Sequence, residues 1–172
     1  YAFLWKPSRV TLLGRPYLDR ELAAVINREP YIGKFRLKGS DAPFFLVNLH
    51  ARTHDQQPEE EIAHLMRYPQ RLQTQRFIIA GDFNLDETHP VWQPLYRLGF
   101  VSALQDAPTT LKRRCDREGN YFNYPIDNLY LPAHIFDLVG SGRVDIVLNC
   151  ARLGAARDLS DHVPVYAELE EK

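Results

Sequence analysis

Short apolar runs, each ending in polar residues, are the feature of this 172-residue chain that most constrains its fold. The clearest is "RFII" at 76–79, which leads into "AGDFNLDE" at 80–87. An apolar run of this length is typical of a buried strand. Because alternate residues of a strand point the same way, Asp82 and Asn84 would present two oxygen-bearing side chains to one place. Gly, Asp and Asn also form turns, so a simple turn is the alternative here.

Polar residues stand at the ends of, or inside, the other apolar runs as well. "FFLVNLHA" has Asn48 and His50 near its end, "PIDNLYL" contains Asp127, and "SDHVPVYAELE" has Asp161 and His162 near its beginning. Each alone has an ordinary explanation, such as a hydrogen-bonded histidine or an acid satisfied by backbone amides. Together they place several carboxylates at strand ends, and buried carboxylates repel each other unless they share a cation or a proton. We therefore expect them to converge in one cleft.

The side chains of this set favour a hard divalent cation. Carboxylate and carboxamide oxygens are the ligands that Mg²⁺ prefers, and Mn²⁺ accepts the same donors. The set contains no thiolate, which argues against structural zinc. Histidines beside such a site could transfer protons near neutral pH.

Composition restricts the partners only weakly. The net charge is −1, whereas nucleic-acid binders often carry a basic surplus, so contact with phosphates would depend on a metal or on a local cluster such as "LKRRCDR" at 111–117. No apolar run is long enough to cross a membrane. Cys115 and Cys150 form no disulfide framework, and two unrelated thiols are favoured over a single bridge. The cellular compartment stays open.

The order of elements predicts an α/β fold with packed sheets, because strands outnumber helices and most strand pairs have no helix between them. A doubly wound parallel sheet is the alternative, and it fits poorly for the same reason. The predicted strands are "YAFLWKP", "RVTLLG", "YIGKFRLKG", "PFFLVNLHA", "RFIIAG", "FVSAL", "PIDNLYLP", "GRVDIVLN" and "PVYAELE". The predicted helices are "YLDRELAAVI", "PEEEIAHLMRYPQRLQTQ" with a break at Pro69, and "PVWQPLYRLG".

The blocks "NLHA", "GDFN", "IDNLY" and "SDHVPV" occur in an order and at spacings that resemble the endonuclease/exonuclease/phosphatase superfamily, of the deoxyribonuclease I type. The segment "REPYIGKF" at 28–35 also resembles that family's "REP" strand. The resemblance extends from Arg28 almost to the C-terminus. It implies two packed, mainly antiparallel β-sheets flanked by helices, a four-layer sandwich. It also implies hydrolysis of a phosphodiester or phosphomonoester with Mg²⁺ or Mn²⁺.

The resemblance implies a role for each acid and amide of the set. Asp82 and Asn84 match the pair that contacts the scissile phosphate and orients the attacking water. Asp161 matches a metal-binding acid, with Asp82 as a second candidate ligand. Asn48 is a candidate for substrate binding.

The same resemblance assigns the basic residues and their partner. His162 matches the histidine that serves in acid/base chemistry or phosphate binding, and His50 matches the second histidine of the nuclease branch. Asp127 matches the acid that holds one of these rings in its tautomer. Arg28 matches an arginine near the substrate backbone.

One part of the family pattern has no counterpart before Arg28: an early strand ending in Asn and another ending in a "QE" glutamate, the chief metal ligand. We therefore expect residues 1–172 to form a single domain of this type that is N-terminally incomplete: either the chain is a fragment, or another segment supplies the missing strands.

Three functions remain open at this point. His50, the "REP" arginine and segment 111–117 favour a metal-dependent endonuclease that acts on DNA ahead of RNA. The same blocks also suit a phosphatase or phosphodiesterase acting on a phosphorylated lipid or small molecule, since fold does not fix function. The missing glutamate would suit a non-catalytic binding module or an inactive fragment.

Overall fold

The computed structural model describes all residues from Tyr1 to Lys172 as a mixed α/β structure with a seven-stranded sheet and a two-stranded sheet. The strands are β1 Val10–Leu12, β2 Tyr17–Leu18, β3 Tyr31–Leu37, β4 Phe44–His50, β5 Phe77–Asp82, β6 Phe100–Ser102, β7 Asp127–Pro132, β8 Phe136–Arg143 and β9 Val165–Glu171. The α-helices are α1 Pro58–Leu65, α2 Tyr68–Arg71, α3 Gln93–Arg97 and α4 Leu153–Leu159. Short 3₁₀ helices span Arg20–Leu22, His54–Gln56, Pro90–Trp92 and Cys150–Arg152.

The large sheet has the strand order β1-β3-β4-β5-β7-β6, and β2 also pairs with β3. Only β4 and β5 are parallel, and the segment between them contains α1 and α2. That is the crossover that a parallel pair requires. The prediction of packed, mainly antiparallel sheets with helices outside is confirmed.

Two apolar clusters cover the two faces of the large sheet. The helices pack on one face, where Leu49, Ile79 and Tyr130 are fully buried. The two-stranded sheet packs on the other face, through Phe136 of β8 and the partly buried Leu169 of β9. Alternation along β4 therefore sends Leu49 to the helix face, and sends its neighbours Asn48 and His50 to the opposite face.

Three predicted elements differ from the structure. The strand predicted over 142–149 ends at Arg143. Beyond it the Asp145 carboxylate accepts the N–H groups of Val147 and Leu148, so the chain turns there. Segment 17–26 is a short strand followed by a 3₁₀ helix rather than an α-helix. Segment 1–7 forms no strand, although Phe3 stacks on Tyr31 at a centroid distance of 5.0 Å. Helix α4 had no counterpart among the predicted elements.

The expectation of two unrelated thiols is wrong. Cys115 and Cys150 form a disulfide with Cα atoms 6.0 Å apart. The pairing comes from tertiary packing. Cys115 packs against a small apolar cluster that includes Val147 and Leu153, and these two residues flank Cys150 in the chain. No helix of the structure has the length and apolar character needed to cross a membrane.

Candidate active site

Three polar side chains lie side by side because their strands are neighbours in register. In the β4–β5 pair His50 is opposite Asp82, and in the β5–β7 pair Asp82 is opposite Asp127. Directly opposed residues on one face of an antiparallel pair such as β5–β7 have their Cβ atoms about 4.5–5.5 Å apart, and neighbouring strands of any sheet lie about 4.8 Å apart. The predicted strand ends therefore bring two carboxylates and an imidazole into one row.

His162 adds a second imidazole to this row from the loop before β9. Its Nδ1 atom lies 2.7 Å from Oδ2 of Asp127, and its Nε2 atom lies 3.9 Å from Oδ2 of Asp82. The hydrogen bond to Asp127 raises the pKa of His162. The negative charges of Asp127, Asp82 and Asp161 raise this pKa further, whereas burial opposes the shift. His162 therefore keeps its proton to higher pH than an exposed histidine.

Thr109 completes the support of His162, and sequence reasoning missed it. Its side chain is fully buried, and its hydroxyl donates to Oδ2 of Asp127 at 2.6 Å. The hydroxyl oxygen also accepts the N–H of Asp127 at 3.1 Å. A threonine in a polar loop carries no sequence signal for such a contact, because only the folded loop brings it to β7.

Asp82 is the central group of the row. Its Oδ2 atom lies 3.5 Å from Nε2 of His50, and its Oδ1 atom accepts the N–H of Asn84 at 3.0 Å. Burial raises the pKa of Asp82, and the charge of Asp127 adds to this. The Asn84 N–H and the charges of His162 and His50 act in the opposite direction. A carboxylate with a raised pKa is a stronger base than an ordinary aspartate.

Asn84 lies in a tight turn, so the turn and the candidate site are the same feature. Its φ of 53° is left-handed, and its Nδ2 atom donates to the carbonyl of Ala51 at 3.2 Å. This bond ties the turn after β5 to the end of β4. Position 81, directly before Asp82, must be glycine, because a Cβ atom there would lie 1.8 Å from the Leu49 carbonyl oxygen.

The remaining predicted site residues lie around this row without a hydrogen bond to it. Asn48 is on β4, two residues before His50 and on the same face. Arg28 is exposed, and its carbonyl accepts the Tyr1 hydroxyl at 3.5 Å, while the same hydroxyl accepts the N–H of His50 at 2.9 Å. Asp161 is exposed beside His162, and its backbone carbonyl accepts the N–H of Leu111.

Glu61 on α1 is a further buried acid near the site that the sequence did not single out. Its side chain is fully buried and accepts the N–H of Asn27 at 2.5 Å, the N–H of Arg52 at 2.8 Å and Nε of Arg52 at 3.1 Å. Asn27 precedes Arg28, and Arg52 lies two residues after His50. Glu61 therefore fixes both chain segments that lead to these candidate residues.

The donor set at the row fits a hard cation. Ligand atoms of Asp82, Asp127 and His162 lie within 4.8 Å of one another. Oδ2 of Asp127 is shared by Thr109 and His162, which leaves its Oδ1 atom and the carboxylate of Asp82 as oxygen donors of this group, and Asp161 next to His162 adds an exposed carboxylate. These are oxygen ligands, which suit Mg²⁺ or Mn²⁺ better than a soft metal.

Comparison with known proteins gives relatives of one fold. No protein-family model matches the chain. A curated protein of Thioalkalivibrio sp. (strain K90mix) named "Deoxyribonuclease" is 30% identical over 187 aligned residues, which include 99% of this chain and 50% of that protein. The chain thus spans about half the length of the curated relative that it matches.

Solved structures give the same picture. An endonuclease/exonuclease/phosphatase from Bacteroides vulgatus has a TM-score of 0.68 at 15% identity, covering 98% of this chain and 69% of that one. The zebrafish (D. rerio) TDP2 complexed with single-strand DNA product has a TM-score of 0.62 at 14% identity, covering 95% and 70%. The human Nocturnin catalytic domain with bound sulfate has a TM-score of 0.60 at 17% identity, covering 95% and 60%. At these identities the likeness is one of fold.

Proposed function

The chain has the endonuclease/exonuclease/phosphatase fold, and from that premise we propose that it is a metal-dependent phosphodiesterase that cleaves DNA. The observation that carries the proposal is the row of His50, Asp82, Asp127 and His162 across the ends of neighbouring strands. The row holds two kinds of group whose pKa values are shifted in useful directions: a carboxylate that is a stronger base and an imidazole that stays protonated.

Asp82 is the proposed general base. Its Oδ1 atom is held by the Asn84 N–H, so Oδ2 is left to accept a proton from an attacking water. The carboxamide of Asn84 cannot ionise and contributes donors and an acceptor for orienting a phosphate oxygen or that water. His50, at 3.5 Å from Asp82, is placed to orient this carboxylate.

His162 is the proposed acid or phosphate-binding group. Asp127 holds its Nδ1 side, which turns Nε2 towards Asp82 and the space where the phosphate would lie. A protonated Nε2–H then donates to a phosphate oxygen or to the leaving oxygen. The Thr109 hydroxyl keeps Asp127 in place for this role.

The proposed metal ligands are Asp161 and Oδ1 of Asp82, which leaves Oδ2 of Asp82 for the proton. When bound, a divalent ion neutralises charge on the phosphate and on the leaving oxygen. Segment 111–117 supplies exposed arginines for the substrate backbone, since Arg113, Arg114 and Arg117 are not engaged in ion pairs. The name of the curated relative and the DNA product bound to TDP2 support DNA as the substrate.

A substrate panel tests this function. The protein with Mg²⁺ is given plasmid DNA, an RNA of similar length, bis-p-nitrophenyl phosphate, p-nitrophenyl phosphate and inositol phosphates. Nicking of the plasmid that is lost in Asp82→Asn and retained in His134→Ala, an exposed histidine away from the row, supports a deoxyribonuclease. Turnover of only the small phosphomonoesters would assign a phosphatase instead. Inactivity on every substrate across a range of Mg²⁺ and Mn²⁺ would indicate a non-catalytic chain.

A further inference from the structure

Four basic side chains lie together on the large sheet, at the end of β3 that points away from the catalytic row. Ile32 of β3 is buried under the helices, so alternation places Lys34 and Arg36 on the same face of the sheet. Lys38 directly follows β3, and its N–H donates to the Arg9 carbonyl at 2.8 Å. This bond continues the register of β1 and β3 and sets Arg9 beside Lys38. Together, these four cationic residues are called the basic face.

The basic face has no acid of its own, although the chain as a whole has a net charge of −1. None of its side chains makes a hydrogen bond or ion pair within the protein, whereas Arg76 is paired with Glu171. Arg9, Lys34 and Lys38 are exposed, so the helices leave this part of the sheet open. Like charges on neighbouring strands repel each other, and the arrangement therefore costs the fold stability. A bound polyanion would relieve that repulsion.

The basic face lies well outside the catalytic row. Lys34 is opposite Phe45 on β4, and Phe45 is five residues before His50. At about 3.4 Å per residue this separation is about 17 Å, and Arg36 lies about 7 Å further along β3. A single phosphate group at the row therefore does not touch the basic face, but a polynucleotide held at the row is long enough to reach it.

The chemistry of the basic face suits phosphates better than a lipid bilayer. Arginine, lysine and hydroxyl side chains contact nucleic-acid backbones, and Thr11, opposite Arg36, adds a hydroxyl to this face. Surfaces that bind bilayers combine cations with apolar side chains that insert among the lipids. The aromatic ring on this face, Phe45, is partly buried under Lys34, whose Nζ atom lies 5.4 Å from the ring centroid.

We propose that the basic face is an exosite that binds the phosphate backbone of a polynucleotide at a distance from the scissile phosphate. The inference rests on the proposed nuclease function and adds a second point at which the substrate is held. Because the exosite contacts phosphates, its binding is independent of base sequence and weakens as salt rises. It favours long polynucleotides over short ones.

The test replaces all four residues of the basic face by Gln. A single-stranded DNA of about 40 nucleotides, longer than one binding site, is bound in excess chelator so that no cleavage occurs. Fluorescence anisotropy over a salt series measures the affinity. The variant should bind about tenfold or more weakly at low salt, and the slope of log affinity against log salt should fall by about 3, since each phosphate contact on a single strand contributes about 0.7.

Two further measurements separate the exosite from the fold and from the row. The variant should melt at or above the temperature of the unmodified protein, because the replacement removes repulsion between like charges. With Mg²⁺, it should hydrolyse bis-p-nitrophenyl phosphate with unchanged kcat/KM, because this small diester cannot reach from the row to the basic face. Cleavage of the long strand should show a raised KM.

A charge-matched control replaces four exposed arginines elsewhere on the surface by Gln. These are Arg20, Arg67, Arg97 and Arg152, none of which is in an ion pair. The control should keep the affinity and the salt slope of the unmodified protein. An equal loss in the control would assign the effect to net charge and overturn the exosite.

The remaining outcomes distinguish the exosite from the nuclease function. If the protein cleaves DNA but the basic-face variant binds the long strand with unchanged affinity and slope, the exosite is refuted and the nuclease function stands. If the variant loses only binding to vesicles of phosphatidylcholine and phosphatidylserine, the basic face binds lipid and the exosite is likewise refuted. A protein that binds the strand through the basic face but cleaves no DNA would retain the exosite and overturn the nuclease function.

Discussion

The imidazole of His162 lies between two carboxylates, with Nδ1 2.7 Å from Asp127 and Nε2 3.9 Å from Asp82. The short contact fixes the ring, and the longer one is beyond direct hydrogen-bonding distance, so Nε2 has no protein partner that it must give up to meet a substrate oxygen. The same arrangement raises the pKa of His162, chiefly through the Asp127 hydrogen bond. The geometry and the protonation state of this ring therefore depend on one neighbouring acid.

Replacing Asp127 by Asn should move the alkaline limb of the pH–rate profile to lower pH. The raised pKa of His162 keeps the ring protonated, so activity that needs the imidazolium falls only as pH rises through that pKa. Asn carries no charge and removes this support, so the fall begins earlier. The measurement is kcat/KM against pH, together with the NMR titration of His162. An unchanged profile with a lowered His162 pKa would exclude His162 as the titrating acid.

Replacing Asp82 by Asn should abolish most activity, by about 10²-fold or more, and at the same time stabilise the protein at neutral pH. The folded-state pKa of Asp82 is raised, so its charge costs stability above that pKa, and the cost vanishes below the pKa of the unfolded chain. The stabilisation should therefore appear in thermal melts at pH 7 and disappear in acid.

Asp86, four residues later, is a control of opposite sign. The Thr88 hydroxyl lowers the pKa of Asp86, so this acid contributes stability at neutral pH that is lost as pH falls through its folded-state pKa. Asp86→Asn should lower the melting temperature at pH 7 and change turnover little. Equal responses of the two variants to pH would contradict the assignment of the Asp82 shift to its burial beside Asp127.

Replacing Glu61 by Ala should cost about 2–4 kcal/mol of unfolding free energy, because the N–H groups of Asn27 and Arg52 and the Arg52 guanidinium all lose their buried acceptor. The neighbouring Glu60→Ala is the control, since Glu60 is exposed and contacts Arg52 only at 3.6 Å. It should cost less than about 1 kcal/mol. Urea denaturation of both variants measures the difference, and equal costs would refute the buried role of Glu61.

Strand periodicity predicted the part of the site that strands build. His50, Asp82 and Asp127 stand at ends of apolar runs, and register alone brings them together. The alternation of side chains along β5 does not decide the position of Asn84, because β5 ends at Asp82 and Asn84 itself has a left-handed backbone conformation. The turn was an alternative at that position, and it is part of the site.

Contacts made by loops and by distant segments were not visible in the sequence. Thr109 and Glu61 act through side chains that meet their partners only after folding, and neither has a periodic pattern around it. The bridge between Cys115 and Cys150 has the same origin, since it joins a loop to the start of a 3₁₀ helix across a small apolar cluster. Local patterns cannot specify which loops meet.

Removing the Cys115–Cys150 disulfide should lower the free energy of unfolding by about 2–4 kcal/mol, because the bridge restricts the unfolded chain across 35 residues of separation. The double change to Ser and treatment with a reductant should give the same melting temperature. The reductant should then have no further effect on the double variant. A reductant-insensitive melt of the unmodified protein would show that the bridge does not contribute.

Metal dependence separates the roles of the adjacent residues Asp161 and His162. Hydrolysis should require Mg²⁺ or Mn²⁺ and stop in excess chelator, because the donors near the row are carboxylate oxygens. His162→Ala should lower turnover by about 10²-fold or more, with little change in the Mg²⁺ concentration that gives half-maximal rate, since its Nδ1 atom is engaged with Asp127 and its proposed task is proton transfer. Asp161→Ala should raise that Mg²⁺ concentration as well as lower the rate.

Asp158→Ala is the control for Asp161, because Asp158 is an exposed acid on nearby α4 and its loss removes the same charge. It should leave the Mg²⁺ dependence unchanged, which separates ligation from a general loss of negative potential. Rates measured over a Mg²⁺ titration for the three variants decide between these roles. Full activity in chelator would rule out the metal, and an unaltered Mg²⁺ dependence of Asp161→Ala would move the ligand role to Asp82 alone.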